Sequence, residues 1–119
     1  MIHQVKIRDC FFKEKIAGRK AWELRLNDRN YQICDYLGLN EIDDNGKETG
    51  RFVVEKIVDI VYPGQLPDGA LKFGYVILST VACSLVSLDD ELEVHGIDII
   101  VYGGEDENKQ RYTEGSNES

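Results

Sequence analysis

The first part of the chain alternates apolar and polar positions and then changes to a helical spacing. The alternation over Ile2–Ile7 predicts a short strand. Asp9 follows as a potential helix N-cap, and Phe12 and Ile16 lie one turn apart on the stripe that would be buried. This spacing leaves Lys13–Lys15 on the solvent side. We therefore predict a strand followed by a short helix.

After residue 20 the period of the pattern becomes two, which is typical of a strand. Trp22, Leu24 and Leu26 share one face, and Glu23 and Arg25 share the other. Because apolar side chains usually form the buried face, we expect the face with Glu23 and Arg25 to be in water.

Strand-like and turn-like segments alternate further along the chain. Tyr36–Ile42 and Phe52–Tyr62 are strand-like, and Asp44–Gly46 supplies turn residues between them. Pro63–Gly74 contains two prolines and three glycines, which predicts an irregular rim or lid loop. Tyr75–Ser79 is an apolar strand that could extend to residue 86.

The C-terminal part of the chain is more polar. Leu88–His95 predicts a short acidic helix, with a hairpin as the alternative, and Ile97–Tyr102 predicts a strand. Glu105–Ser119 carries seven charges and a single apolar residue, Tyr112, so this segment is expected to be a mobile tail. The length of 119 residues fits one domain over residues 1–104 followed by the tail at 105–119.

The net charge of -8 is distributed unevenly. Residues 1–80 contain 12 basic and 12 acidic side chains, whereas residues 81–119 contain 2 basic and 10 acidic ones. Within the neutral part, residues 5–29 hold eight basic and four acidic side chains. The net charge alone argues against nucleic-acid binding, but this basic segment makes it possible again.

Several other classes of protein are excluded or disfavoured. No apolar run is long enough to cross a bilayer, so no membrane partner is expected. The cysteines, Cys10, Cys34 and Cys83, are three in number and widely spaced, which argues against a disulfide framework and a zinc site. We expect a cytoplasmic protein without a cofactor or a metal ion.

One group of residues in the basic segment has the side chains needed to bind a ligand. Gly18, Lys20, Glu23 and Arg25 form the string G-x-K-x-x-E-x-R. A carboxylate between two cations can hold them as preorganised donors to a phosphate or a base edge. The simpler interpretation is a surface salt bridge of little energetic value, and whether Arg25 pairs with Glu23 or with Asp28 is open.

The same string resembles the signature of ASCH domains, a branch of the PUA-like superfamily. The segments Leu26–Gln32, Thr49–Arg51 and Gly74–Leu78, together with Asp35, resemble more narrowly the DUF3850 family. The resemblance covers about residues 3–79, and residues 80–104 form an extension. It implies an α+β, mainly β, fold: a small antiparallel β-barrel with flanking short helices and a cleft lined by the motif. Cys34 departs from the glycine that similar proteins usually have before this aspartate.

The leading functional hypothesis is an RNA- or nucleotide-binding module, because PUA-like relatives bind RNA. Lys20, Arg25 and Arg29 would contact phosphates or base edges, and Tyr31 would stack on a base. Glu23 would either orient these cations or accept a hydrogen bond from a base amino group. The ligand-binding residues expected on this basis are Lys20, Glu23, Arg25, Asp28, Arg29 and Tyr31.

Two alternatives come from other classes of protein. Some ASCH-like proteins resemble amidohydrolases that act on acylated nucleosides, and Lys20 and Glu23 would then be the catalytic pair. A lysine beside a carboxylate is held protonated unless the site is desolvated, so binding is favoured over catalysis. The acidic C-terminal part would instead suit a protein-interaction module with a basic protein partner. The sequence leaves the oligomeric state open.

Overall fold

A mixed β-sheet with one α-helix beside it makes up the part of the chain that the structure describes. The structure is a computed structural model, and it describes residues 1–84, 93–94, 100–103 and 111–113. The elements are β1 (Ile2–Arg8), α1 (Asp9–Ile16), β2 (Trp22–Leu26), β3 (Tyr36–Ile42), β4 (Glu48–Val61), β5 (Tyr75–Ser84), β6 (Glu93–Val94), β7 (Ile100–Tyr102) and β8 (Arg111–Thr113).

Five of the strands follow the order β1-β3-β4-β5-β2. β1 and β3 are parallel, whereas β3–β4, β4–β5 and β5–β2 are antiparallel. The short strands lie off this path: β6 pairs with β5, β7 pairs with β4, and β8 pairs with β7. The two strands that come first in the sequence therefore lie at opposite ends of the strand order.

The predicted α+β, mainly β, class is confirmed, but the predicted closed antiparallel barrel is not. The β1–β3 pair is parallel, and within the described ranges β1 and β2 have no ladder between them, so the sheet stays open. The reason lies in the strand order, because β2 pairs only with β5 there and β1 only with β3.

Alternate residues of the strands line the main apolar core, and Val54, Cys83, Ile100 and Tyr102 form a second cluster. In β1, His3, Val5 and Ile7 are buried while their neighbours are exposed. In β4 the inward positions continue from Val53 through Ile57, and a bulge between Ile57 and Asp59 then shifts them to Ile60. The core joins residues from every long strand except β2.

The structure corrects two predictions about which side chains face water. Lys15, predicted on the solvent side of the helix, has no exposed surface. In β2 the predicted alternation is right but the faces are reversed: Glu23 is 3% exposed, whereas Trp22, Leu24 and Leu26 are 48%, 51% and 49% exposed. The polar face is buried because oppositely charged side chains meet it inside the sheet, as described below.

The later predictions are confirmed in part. The strand predicted over Tyr36–Ile42 has those bounds, and the Pro63–Gly74 loop contains only a short 3-10 helix at Pro63–Gln65. Of the predicted Leu88–His95 helix, the structure describes Glu93–Val94, which form a strand paired with Cys83–Ser84 as in the hairpin alternative.

The remaining C-terminal predictions fall largely outside the described residues. Arg111–Thr113, inside the predicted mobile tail, pair with Ile100–Tyr102, and the boundary predicted at residue 104 is not described. Within the described ranges, no helix has the length and apolarity needed to span a membrane.

Candidate functional site

The motif residues lie where α1 passes into β2. Gly18 follows the helix with a positive φ of 76°, a conformation that favours glycine, and β2 begins four residues later at Trp22. Strand alternation then turns Glu23 and Arg25 to the inner side of the sheet. Lys20, in the connecting segment, places its ammonium group beside the Glu23 carboxylate.

Glu23 is the centre of a buried charge cluster. Its Oε2 accepts a hydrogen bond from Lys20 Nζ at 2.5 Å and lies 3.3 Å from Lys15 Nζ. Its Oε1 accepts hydrogen bonds from Arg25 Nε at 3.0 Å and from Arg25 Nη2 at 2.8 Å. Three cations therefore surround one carboxylate, and the open question of the Arg25 partner is answered in favour of Glu23.

Lys15 connects this cluster to buried side chains of the central strands β4 and β5. Its ammonium group donates to Glu55 Oε1 at 2.8 Å, to the Trp22 carbonyl at 3.3 Å and to Thr80 Oγ1 at 3.4 Å. Sequence reasoning missed Lys15, Glu55 and Thr80. One signal was available: Glu55 has the strand parity of the apolar residues Val53 and Ile57, and a carboxylate on such a face needs a compensating partner.

The cluster shifts the pKa values of two motif residues. Burial acts to raise the pKa of Glu23, but the charges of Lys15, Lys20 and Arg25 outweigh it and hold this pKa below its ordinary value. Burial lowers the pKa of Lys20, and the attraction of Glu23 offsets this lowering only in part. Glu23 is therefore a stable anion that holds its cations in fixed directions.

A groove separates the edges of β1 and β2. Arg25 Nη2 crosses it and donates to the Lys6 carbonyl oxygen at 2.9 Å. On one side of this bond is a hollow of about 320 Å³, and on the other is a hollow of about 290 Å³. We call them the aromatic hollow, which Phe11 and Trp22 help to line, and the polar hollow, which Asp28 and Arg29 help to line.

The walls of the groove are basic, in contrast to the chain as a whole. They carry five cationic side chains and two carboxylates: Lys6, Arg8, Lys20, Arg25 and Arg29, against Glu23 and Asp28. Within the described part of the chain, Lys6, Arg8 and Arg29 make no salt bridge. Phe11 and Trp22 are 45% and 48% exposed, and Lys20 Nζ lies 4.2 Å from the centre of the Trp22 ring.

Comparison with known proteins identifies the family. The family model described as "Domain of unknown function (DUF3850)" matches residues 2–80. The chain belongs to the DUF3850 family. A similar protein is the "Uncharacterized 12.9 kDa protein in GpA 3'region" of Escherichia phage P2, which is 41% identical over 59 residues, or 50% of this chain and 53% of that protein. The chain thus spans about half the length of the curated relative it matches.

The other predicted site residues of this DUF3850 domain lie around the polar hollow. Asp28 and Arg29 are exposed at its wall. Tyr31 also lines this hollow but is only 2% exposed, and its ring packs edge-on against His3 with the ring centres 4.9 Å apart. This packing leaves no free ring face, so the structure does not support stacking of a base on Tyr31.

Cys34 lies at a backbone position that favours glycine. Cys34 has a φ of +78°, in the left-handed region that glycine adopts freely and a residue with a Cβ adopts only at an energetic cost. Asp35, which follows it, contacts His3 Nε2 at 2.8 Å and accepts a hydrogen bond from the Gln32 amide. Burial acts to raise the pKa of Asp35, but these contacts keep it below its ordinary value.

The described portion of the domain contains no cluster of metal-ligating side chains. No three side chains of the His, Cys, Asp and Glu types lie close enough there to hold an ion.

Proposed function

We propose that the groove between β1 and β2 binds single-stranded RNA or a nucleotide. The observation that carries the proposal is the excess of cations over carboxylates in the groove of a chain whose net charge is -8. Phosphate neutralisation supplies most of the affinity for nucleic acids, and exposed aromatic rings give bases a surface for stacking. Phe11 and Trp22 supply these rings here, in place of Tyr31.

Glu23 acts as a positioning residue in this proposal. It fixes the directions of Lys20 and Arg25 through hydrogen bonds of 2.5–3.0 Å, so these cations need not be ordered when a ligand arrives. Arg25 retains donors for that ligand: within the described ranges its Nη1 has no acceptor, and its side chain is 21% exposed.

The proposed family context is a PUA-like fold of the ASCH type, in which the motif lines the ligand cleft. The inward positions of Glu23 and Arg25 and the groove beside them support this assignment. In this interpretation the ligand enters at the open side of the sheet, between β1 and β2. The three free cysteines support a reducing, cytoplasmic location.

A titration with single-stranded RNA tests the proposal. An RNA of about 12 nucleotides, labelled for fluorescence anisotropy, is titrated at about 50 mM salt. We expect Lys6→Ala and Arg29→Ala each to weaken binding about threefold to tenfold and to reduce the salt slope by about 0.7. Both side chains are exposed and outside the buried cluster, so the fold is retained.

The control is Lys47→Ala, which removes the same charge from an exposed turn away from the groove. It should bind RNA as the parent does. Equal affinity of the two groove variants, the control and the parent would refute the proposal.

A second candidate, an amidohydrolase acting on modified nucleosides, has one observation in its favour. Burial lowers the pKa of Lys20, which raises the fraction of neutral amine that could act as a base or nucleophile. Against it, Glu23 is surrounded by three cations and is a weak base. The test is water-dependent release of acetate from N4-acetylcytidine, which Lys20→Ala would have to abolish. A protein-interaction module with a basic partner stays a prediction.

A further inference from the structure

The two hollows of the groove share two residues, and these are the residues that separate them. Lys6 and Arg25 line both hollows, and the hydrogen bond from Arg25 Nη2 to the Lys6 carbonyl runs between them. Their volumes, about 320 Å³ and 290 Å³, are similar, and each is near the lower end of the range of small-molecule sites, about 300–1,000 Å³. The groove therefore has two small compartments with a guanidinium between them.

The aromatic hollow has the chemistry of a base site. Phe11, Trp22 and Leu24 give it exposed apolar surface, and Ile7 also lines it. A nucleobase stacks on an aromatic ring with little dependence on its sequence identity. The Lys20 ammonium beside the Trp22 ring adds a donor for the acceptor atoms at the edge of a base.

Arg25 and Lys6 separate the two hollows, and we call this boundary the partition. Its side chains suit a phosphate group. Arg25 is held in place by Glu23 through two hydrogen bonds and by the Lys6 carbonyl through a third. Its Nη1 amino group, without an acceptor in the described part of the chain, supplies two N–H donors to an anion. The exposed side chain of Lys6 adds a positive charge next to it.

The polar hollow beyond the partition suits a second nucleoside. Gln4, Asp28 and Arg29 line it, and they present both hydrogen-bond donors and acceptors. Such groups bind base edges and ribose hydroxyls. Lys6 and Arg29 also place positive charge where the strand would continue.

We propose that the unit recognised by this groove is a dinucleotide segment of a single strand. The first base stacks in the aromatic hollow, the phosphodiester that joins the two nucleosides contacts Arg25 at the partition, and the second nucleoside occupies the polar hollow. This inference rests on the proposed function, and it adds the length of the ligand and the place of each of its parts.

The fluorescence of Trp22 reports directly on binding in the aromatic hollow, because Trp22 lines this hollow and is the only tryptophan of the chain. Its fluorescence is followed during titration with adenosine, AMP, ApA and ApApA. We expect quenching by all four ligands, and we expect ApA to bind about tenfold more tightly than AMP. The step from ApA to ApApA should then be about threefold or less, because two nucleosides already fill the aromatic hollow and the polar hollow.

Two variants test separately the contact with the phosphodiester and the contact with the second nucleoside. Arg25→Lys keeps the charge next to Glu23 but removes the planar set of donors, and it should reduce the advantage of ApA over AMP to about threefold or less. Asp28→Asn, at the exposed wall of the polar hollow, should change the affinity for ApA and leave the affinity for adenosine unchanged.

The outcomes distinguish this inference from the proposed function. If the 12-nucleotide RNA binds and is weakened by Lys6→Ala, but ApA binds no more tightly than AMP, the dinucleotide inference is wrong and the proposed function stands. Affinity that rises steadily with length beyond two nucleotides, without a step at ApA, overturns it as well. If neither the 12-nucleotide RNA nor any of the four smaller ligands binds, the proposed function itself is wrong.

Discussion

Replacement of Glu23 by glutamine should lower the free energy of unfolding, because the buried cluster loses its central negative charge. Removal of one partner from a buried ion pair costs about 3–5 kcal/mol, because a charge is left without compensation. Here three cations lose their shared carboxylate. Lys15 keeps Glu55, and Arg25 keeps the Lys6 carbonyl, so we expect the lower end of that range, about 3 kcal/mol.

The pH dependence gives a second test of the same change. The pKa of Glu23 is below its ordinary value of 4.5 in the folded protein, so its stabilising contribution is present above about pH 4.5 and is lost as the pH falls through the folded-state pKa. Glutamine does not titrate. The difference in unfolding free energy between the parent and Glu23→Gln should therefore be largest near pH 7 and should narrow on acidification. Asp35 also titrates, but equally in both proteins, so its effect cancels.

Urea unfolding followed by far-ultraviolet circular dichroism measures both quantities, at about pH 7 and at about pH 3. The control is Glu48→Gln at an exposed position, which should change the unfolding free energy by less than about 0.5 kcal/mol. A loss below about 1 kcal/mol for Glu23→Gln at pH 7, or a loss that is the same at both pH values, would refute the reasoning.

Three further predictions concern backbone strain and cysteine chemistry. Cys34→Gly should stabilise the protein by about 0.5–1 kcal/mol in urea unfolding because it relieves a φ of +78°, and Cys34→Ala, which keeps a Cβ, should not. Gly103→Ala should cost about 3 kcal/mol, because its Cβ would meet a backbone oxygen of β4, whereas Gly46→Ala, also at positive φ but in open space, should cost only about 1 kcal/mol; equal losses would contradict this. Burial raises the pKa of Cys83 to about 12, so a thiol reagent at about pH 8 should modify Cys10 and Cys34 quickly and Cys83 slowly.

The sequence predicts the strands better than it predicts the faces of β2. The alternation over Trp22–Leu26 identifies the strand and its two faces correctly, and only the inner face is misassigned. Hydrophobicity favours burial of Trp22, Leu24 and Leu26, but the inner side is decided by compensation of charge. That compensation depends on Lys15 and Glu55, which lie in other elements.

The candidate site was predictable in its centre and not in its surroundings. The string G-x-K-x-x-E-x-R brings Lys20, Glu23 and Arg25 together as expected. The groove beside them depends on β1 and β2 being at opposite ends of the strand order, which no local pattern encodes. For the same reason the sequence does not identify Phe11, Trp22 and Lys6 as site residues, and it does not predict the burial of Tyr31.

The positions of β1 and β2 at the two ends of the strand order have a consequence for folding. β2 is synthesised early, but it can pair only after its partner on β5, Tyr75–Ser79, has been synthesised. In the same way β1 can pair only after β3 has been synthesised. Pairings between segments so distant in the sequence are slow to form and depend on the intervening strands. The groove thus forms late, and a nascent or truncated chain that lacks β5 would carry the whole motif without the groove.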